Sequence, residues 1–205
     1  MYKLILFDFD GTIANTIDLG IPIYNELARK HKFLEIKSID EVTQFSLKDF
    51  VKNHKISRFK FLFYFREFLK KLTSDMKKVE VYKGMDKVIK KLNKDYRLGI
   101  VSSNSKENIN IFLEIQNLNY YFDFVSNYNL VFGKSKMFKK IMKIKKLNKT
   151  DLIYIGDEVR DIEACKKAGI DSIAVIWGMN NKTILKNKNP TYIVDKPEDI
   201  LKILE

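Results

Sequence analysis

Two aspartates, Asp8 and Asp10, follow the apolar run "LILF" and precede Gly11 and Thr12 in the stretch "DFDGT". Related polar groups stand far away in the chain: Ser102, Ser103 and Asn104 in "VSSN", Lys134 and Lys136 in "VFGKSK", Asp157 and Asp161 in "GDEVRD". Two carboxylates at the end of a buried strand repel each other and lose hydration, which costs several kcal/mol unless something compensates. A cation is a direct compensation. Asp8, Asp10 and Asp157 offer hard oxygens suited to Mg²⁺, and Asp161 can steady metal-bound water or the lysine. Lys134 brings a fixed positive charge, Ser102 a hydroxyl, and the backbone around Ser103 and Asn104 its amides. Together these groups suit the handling of a phosphoryl group. Asp8, Asp10, Asp157 and Asp161 would make the empty pocket strongly negative, so a dianionic phosphate requires a metal on charge grounds.

Simpler readings exist for each motif. "DFDG" has the start of a calcium loop but lacks its third oxygen residue and later glutamate. Asp157, Ser102 and Ser103 could be helix caps. Their joint placement argues otherwise, because each cluster ends an apolar run or opens a helix, and ligands of open α/β sheets gather at the carboxyl ends of strands.

The elements that would position these groups alternate. "RLGIVSS", "FDFVSN", "DLIYIGD", "DSIAVIWG" and "TYIV" read as strands after the first one. Between them "SKENINIFLEIQNL" is a helix with apolar positions Ile109, Phe112, Leu113 and Ile115. "KMFKKIMKIKKL" turns Met137, Phe138, Ile141, Met142 and Ile144 inward. "DIEACKKAGI" closes on Gly169, and "PEDILKIL" is a last helix. This order predicts an α/β, Rossmann-like, doubly wound parallel sheet covered on both faces.

Residues 15–81 differ. "IDLGIPIYNELARKHKF", "IDEVTQFSLKDFVKNHK" and "SRFKFLFYFREFLKKLTSDMKK" read as helices without strands. They predict an all-helical cap inserted after the first motif, with residues 1–14 and 82–205 forming the core and Gly84 near the return. Phe61, Phe65 and Phe68 share a helical face, which suits packing of a small helical domain rather than base stacking. Arg58, Arg66 and Lys52 of the cap could reach a distal anion or simply be solvated.

The chain has 205 residues, 45% hydrophobic and 31% charged, which excludes a disordered polypeptide. The net charge of +12 comes from lysines spread along helix faces, so no dedicated nucleic-acid site is expected. Cys165 is the single cysteine, and its place on a helix face reads as buried and inert. One cysteine, no signal peptide and no apolar stretch of membrane length point to a cytoplasmic protein, and a monomer is expected. His31 and His54 have no metal-spaced partners. Trp177 could line a pocket mouth or the core.

The motifs "DFDGT", "VSSN", Lys134 and "GDEVRD" resemble, in order, the four motifs of the haloacid dehalogenase-like (HAD) hydrolases. The helical insertion and "AVIWGMN" with "KPEDILKIL" are similar to the phosphoglycolate-phosphatase-like branch. The resemblance implies Asp8 as nucleophile forming an aspartyl-phosphate, and Asp10 as general acid and then base. It implies Mg²⁺ held by the Asp8 and Asp157 carboxylates and the Asp10 carbonyl. Ser102 would hold the transferring phosphoryl and Lys134 offset its charge. Physical argument points the same way: a carboxylate nucleophile divides hydrolysis into two displacements, and crowding by Asp8 raises the pKa of Asp10. Two departures stand out. "GKSK" replaces Lys-Pro, and Lys134 is preferred over Lys136 because Ser135 and Lys136 look like the helix start. Glu158 follows Asp157, either as an added metal-shell group or facing solvent.

The expected activity is hydrolysis of a small phosphorylated metabolite, a phosphate monoester, by an Mg²⁺-dependent phosphatase. Alternatives are a phosphomutase acting on a sugar phosphate and a non-catalytic, basic nucleic-acid-binding protein. Halide displacement would not need Asp10.

Overall fold

The computed structural model of the chain describes residues 2–57, 59–128 and 133–204. Arg58 and the first two residues of "VFGKSK" lie outside the described residues. The first strand, β1 (Leu4–Phe7), becomes the middle of a six-stranded parallel sheet. The others are β2 (Arg97–Ser102), β3 (Phe124–Asn127), β4 (Leu152–Gly156), β5 (Asp171–Val175) and β6 (Tyr192–Val194). Their order is β3-β2-β1-β4-β5-β6. Strand order reverses on either side of β1, which leaves a crevice at its carboxyl end.

The helices in chain order are α1 (Ile17–His31), α2 (Asp40–Thr43), α3 (Leu47–Asn53), α4 (Phe61–Asp75) and α5 (Met85–Leu92). They are followed by α6 (Lys106–Ile115), α7 (Lys134–Lys145), α8 (Val159–Ala168), α9 (Lys182–Lys186) and α10 (Asp199–Leu204). Alternate residues of β1 enter opposite faces, as the strand period dictates. Ile5 and Phe7 join Ile100, Phe112, Ile155 and Ile200 on one face, while Leu4 and Leu6 join Val101, Phe138, Tyr154 and Cys165 on the other. Every residue of β1 and β4 is buried, which explains their unbroken apolar runs. The protein is therefore a doubly wound, Rossmann-like α/β fold with a helical cap inserted after β1.

Some helical expectations need correction. Ile115, the last residue of α6, is 43% exposed, and Ile144 is 67% exposed at the margin of the α7 stripe. "IDEVTQFSLKDFVKNHK" is two helices rather than one. Ser46 adopts extended backbone and its side chain accepts from Asp49 N, so α3 begins afresh there.

The two connections between sheet and cap run side by side. Asn15 N donates to Glu80 O at 2.9 Å and Tyr82 N to Ile13 O at 3.0 Å, beside an antiparallel bridge between Ala14 and Val81. On the far side, Asn180 joins sheet to cap: its Oδ1 accepts from Val159 N at 2.9 Å and its Nδ2 donates to Phe45 O at 2.9 Å.

Candidate active site

Parallel register brings the acidic motifs together. Phe7 is paired with Ile155, and Asp8 N donates to Ile155 O at 2.8 Å, so β1 and β4 end at the same level. Asp8 and Asp157 thus leave adjacent strand ends, both buried. The chain then tightens: the amides of Ile13 and Ala14 both donate to Phe9 O at 3.0 Å, and Gly11 turns with φ +73°. A Cβ on Gly11 would lie 2.1 Å from Asp157 Oδ2, so only glycine lets this loop approach the second carboxylate.

Lys134 is the first residue of α7, behind Gly133 at φ +75°. Its ammonium donates to Asp8 Oδ2 at 2.6 Å, to the Tyr154 hydroxyl at 2.6 Å, and to Asp161 Oδ1. All three N–H donors are used. Burial opposes the charge, but Asp161 and Asp8 outweigh it and hold the lysine well above its ordinary pKa. The helix starts one residue earlier than its sequence suggested, and Lys134, not the exposed Lys136, enters the site.

Asp157 accepts from the Thr12 hydroxyl at 2.7 Å and from Met179 N at 2.7 Å. Burial and the charges of Asp8, Glu158 and Asp161 push its carboxyl far up in the metal-free protein. Asp161 is committed elsewhere, with one oxygen on Lys134 and the other accepting from Glu158 N at 3.1 Å. It steadies the lysine and caps α8.

Asp10 is half-buried and accepts from Asn104 Nδ2 at 2.9 Å. Burial first, then the charge of Asp8, raises its carboxyl to about 6. Ser102 is buried, with its hydroxyl accepting from Asn104 N at 3.1 Å, while Ser103 lines the cavity. Asp8, Asp10, Thr12, Ser102, Ser103, Asn104, Lys134, Asp157 and Asp161 therefore meet at one end of the sheet.

Glu158 is neither solvent-facing nor free. It is buried, caps α8 reciprocally with Asp161, and pairs with Arg160 at 2.5 Å. Arg160 was not singled out by sequence reasoning, although it stands inside "GDEVRD". Its Nη2 lies 3.4 Å from Ser103 Oγ, while the buried Nε and Nη1 have no partner among the described residues. A cation in an acidic motif was the available signal. Trp177 packs against the large core and donates to Thr12 O at 3.2 Å, bracing the loop after Asp10.

A divalent ion fits this donor set. One carboxylate oxygen from each of Asp8, Asp157 and Asp161 lies within 4.8 Å of the others, all buried, and Lys134 with Arg160 leaves the carboxylates of Asp8, Asp10, Asp157, Glu158 and Asp161 undercompensated. Lys134 bonds one oxygen each of Asp8 and Asp161, and does not touch Asp157.

Above the acids lies a cavity of about 180 Å³. Asp10, Ser103, Asp157 and Arg160 form its floor, and α1, α3 and α4 supply much of its walls.

A haloacid dehalogenase-like hydrolase family model matches residues 5–175, from β1 through β5 and across the whole cluster. The chain belongs to the haloacid dehalogenase-like hydrolases. It falls in their phosphoglycolate-phosphatase-like branch. A phosphoglycolate phosphatase of Synechococcus elongatus is 27% identical over 97% of this chain and 95% of its own length. The pyrophosphatase PpaX of Bacillus mycoides is 26% identical over 98% of this chain and 95% of its own length. Among solved structures, a haloacid dehalogenase-like hydrolase from Streptococcus pneumoniae has a TM-score of 0.85 at 17% identity, covering 100% of this chain and 99% of its own. A predicted phosphatase from Clostridium acetobutylicum has 0.83 at 22%, covering 100% and 98%. At those identities the two structures establish the fold alone. Among the described residues, no helix of this haloacid dehalogenase-like hydrolase is long and apolar enough to cross a membrane.

Proposed function

We propose that this haloacid dehalogenase-like hydrolase is an Mg²⁺-dependent phosphatase that cleaves a small phosphate monoester through an aspartyl-phosphate at Asp8. The observation that carries this reading is the grouping of Asp8, Lys134 and Asp157 in one buried cluster beneath a cavity that Asp10 enters. The likeness to a phosphoglycolate phosphatase and a pyrophosphatase supports the same class of chemistry.

Asp8 attacks phosphorus, and the bond to the ester oxygen breaks as Asp10 gives that oxygen a proton. Water then attacks the phosphorus of the aspartyl-phosphate, Asp10 takes the water's proton, and Asp8 is released with inorganic phosphate. Asn104 fixes the Asp10 carboxyl through its 2.9 Å hydrogen bond, and a pKa near 6 suits both halves of the cycle. Lys134, locked by Asp161 and Tyr154, offsets charge beside Asp8. Arg160, which lines the cavity, would bring a planar guanidinium toward the phosphoryl oxygens. Held by Asp8 and Asp157, Mg²⁺ would supply charge neutralisation for those oxygens.

The test is phosphate release from a panel of phosphorylated metabolites with Mg²⁺. Release should stop with EDTA and return with Mg²⁺. No release from any ester, or activity indifferent to EDTA, would contradict the reading.

A further inference from the structure

The chamber over the acids is chemically lopsided. Its floor carries Asp10, Asp157, Glu158 and Arg160, yet its cap-side wall holds no charged side chain among the described residues. Ile17, Ile21, Val42, Phe50, Phe65 and Phe68 dominate that wall. Tyr24 is its largest polar side chain, and its hydroxyl is already donated to Leu34 O at 3.0 Å, away from a ligand. Arg66 and Lys52 are exposed and do not line the cavity. With Arg160 given to the phosphoryl group, a leaving group that carried its own charge would meet no second cation among the described residues, and an unpaired buried carboxylate is strongly disfavoured.

Resting on the phosphatase reading, we infer that the substrate is a monoester whose leaving group is apolar, an alkyl or aryl alcohol of about one six-membered ring. The cavity of about 180 Å³ must also hold the phosphoryl group, so one ring is an upper bound, about 150 Å³ being what holds benzene. The phosphoryl end is met by the acid-metal floor and Arg160, and the organic end by the hydrophobic cap. On this inference neither phosphoglycolate, with its distal carboxylate, nor pyrophosphate is the preferred substrate, although proteins similar to this chain carry those names.

The experiment measures kcat/KM of the Mg²⁺-loaded enzyme for methyl, ethyl, propyl and butyl phosphate, benzyl phosphate, phosphoglycolate and pyrophosphate. The alkyl alcohols differ little in acidity, so the series reports the chamber. Each added methylene should raise kcat/KM about fourfold, the worth of one buried CH₂. Benzyl phosphate should exceed butyl phosphate, and both should exceed phosphoglycolate and pyrophosphate. Val42→Phe, which adds bulk to the cap wall, should flatten the series. A flat series in the native enzyme, or a preference for phosphoglycolate or pyrophosphate, would overturn the inference and leave the phosphatase reading standing. Failure to release phosphate from all of these compounds would overturn the inference, and failure on the metabolite panel as well would overturn both.

Discussion

The ammonium of Lys134 lies 2.6 Å from Asp8 Oδ2 and also bonds the carboxylate of Asp161, so one buried cation ties the end of β1 to the first turn of α8. Removing one partner of such a group leaves the others charged and dry. Lys134→Met should cost about 3–5 kcal/mol in urea unfolding of the metal-free protein and abolish turnover. Asp8→Asn should recover part of that stability in the double variant, because it removes one stranded charge. A Lys134→Met protein as stable as the native one would contradict this role.

Asp10 has its carboxyl raised to about 6, chiefly by burial and then by Asp8. It is protonated below that pH and ionised above it. Alkyl phosphates, whose alkoxide leaving group needs a proton, should show kcat falling as pH rises through the Asp10 pKa of the Mg²⁺-loaded enzyme. With 4-nitrophenyl phosphate, whose leaving phenolate is already stable, the fall should be shallow. Matching profiles for the two would remove Asp10 as the acid.

The carboxyls of Asp10, Asp157 and Asp161 are all displaced upward, burial being the first cause for each. A raised folded-state pKa gives stability that is full below the unfolded value and is lost as pH climbs through the folded one. The metal-free protein should therefore become less stable from about pH 4 to pH 7, starting at the ordinary carboxylate value. Mg²⁺ should raise the Tm more at pH 8 than at pH 5. Thermal melts with and without Mg²⁺ measure this, and an equal or reversed effect would contradict it.

Arg160 lines the cavity with Nη2 3.4 Å from Ser103 Oγ, and its buried Nε and Nη1 have no partner among the described residues. Hydrogen bonds to charged groups are worth about 1.5–3 kcal/mol, so Arg160→Ala should weaken competitive inhibition by inorganic phosphate roughly tenfold or more. Arg160→Lys should restore little, because an ammonium cannot reproduce the fork. An unchanged inhibition constant would assign Arg160 solely to Glu158.

Much of this was legible in the sequence because it rests on local patterning. Unbroken apolar runs such as "LILF" and "LIYIG" betray strands buried on both faces, and the polar residues after them mark the rim where a ligand sits. What periodicity could not supply was pairing in three dimensions. Nothing in "GDEVRD" says that Glu158 turns back to cap α8 and take Arg160, since that depends on the tight turn at the β4 end. Phe65 and Phe68 read as ordinary core, but they line a cavity because α1 and α4 meet in its wall, with Phe68 3.3 Å from where a Cβ on Gly20 would stand. Ile144 read as inward, yet a stripe margin is buried only where a neighbour covers it.

The most direct measurement of the central claim is the site of covalent phosphorylation. Enzyme quenched during turnover and reduced with borohydride converts an aspartyl-phosphate to homoserine, which peptide mass spectrometry locates. The expected result is homoserine at position 8 alone, dependent on Mg²⁺ and absent from Asp8→Asn. Homoserine at position 10 or 157, or steady turnover by Asp8→Asn, would contradict it.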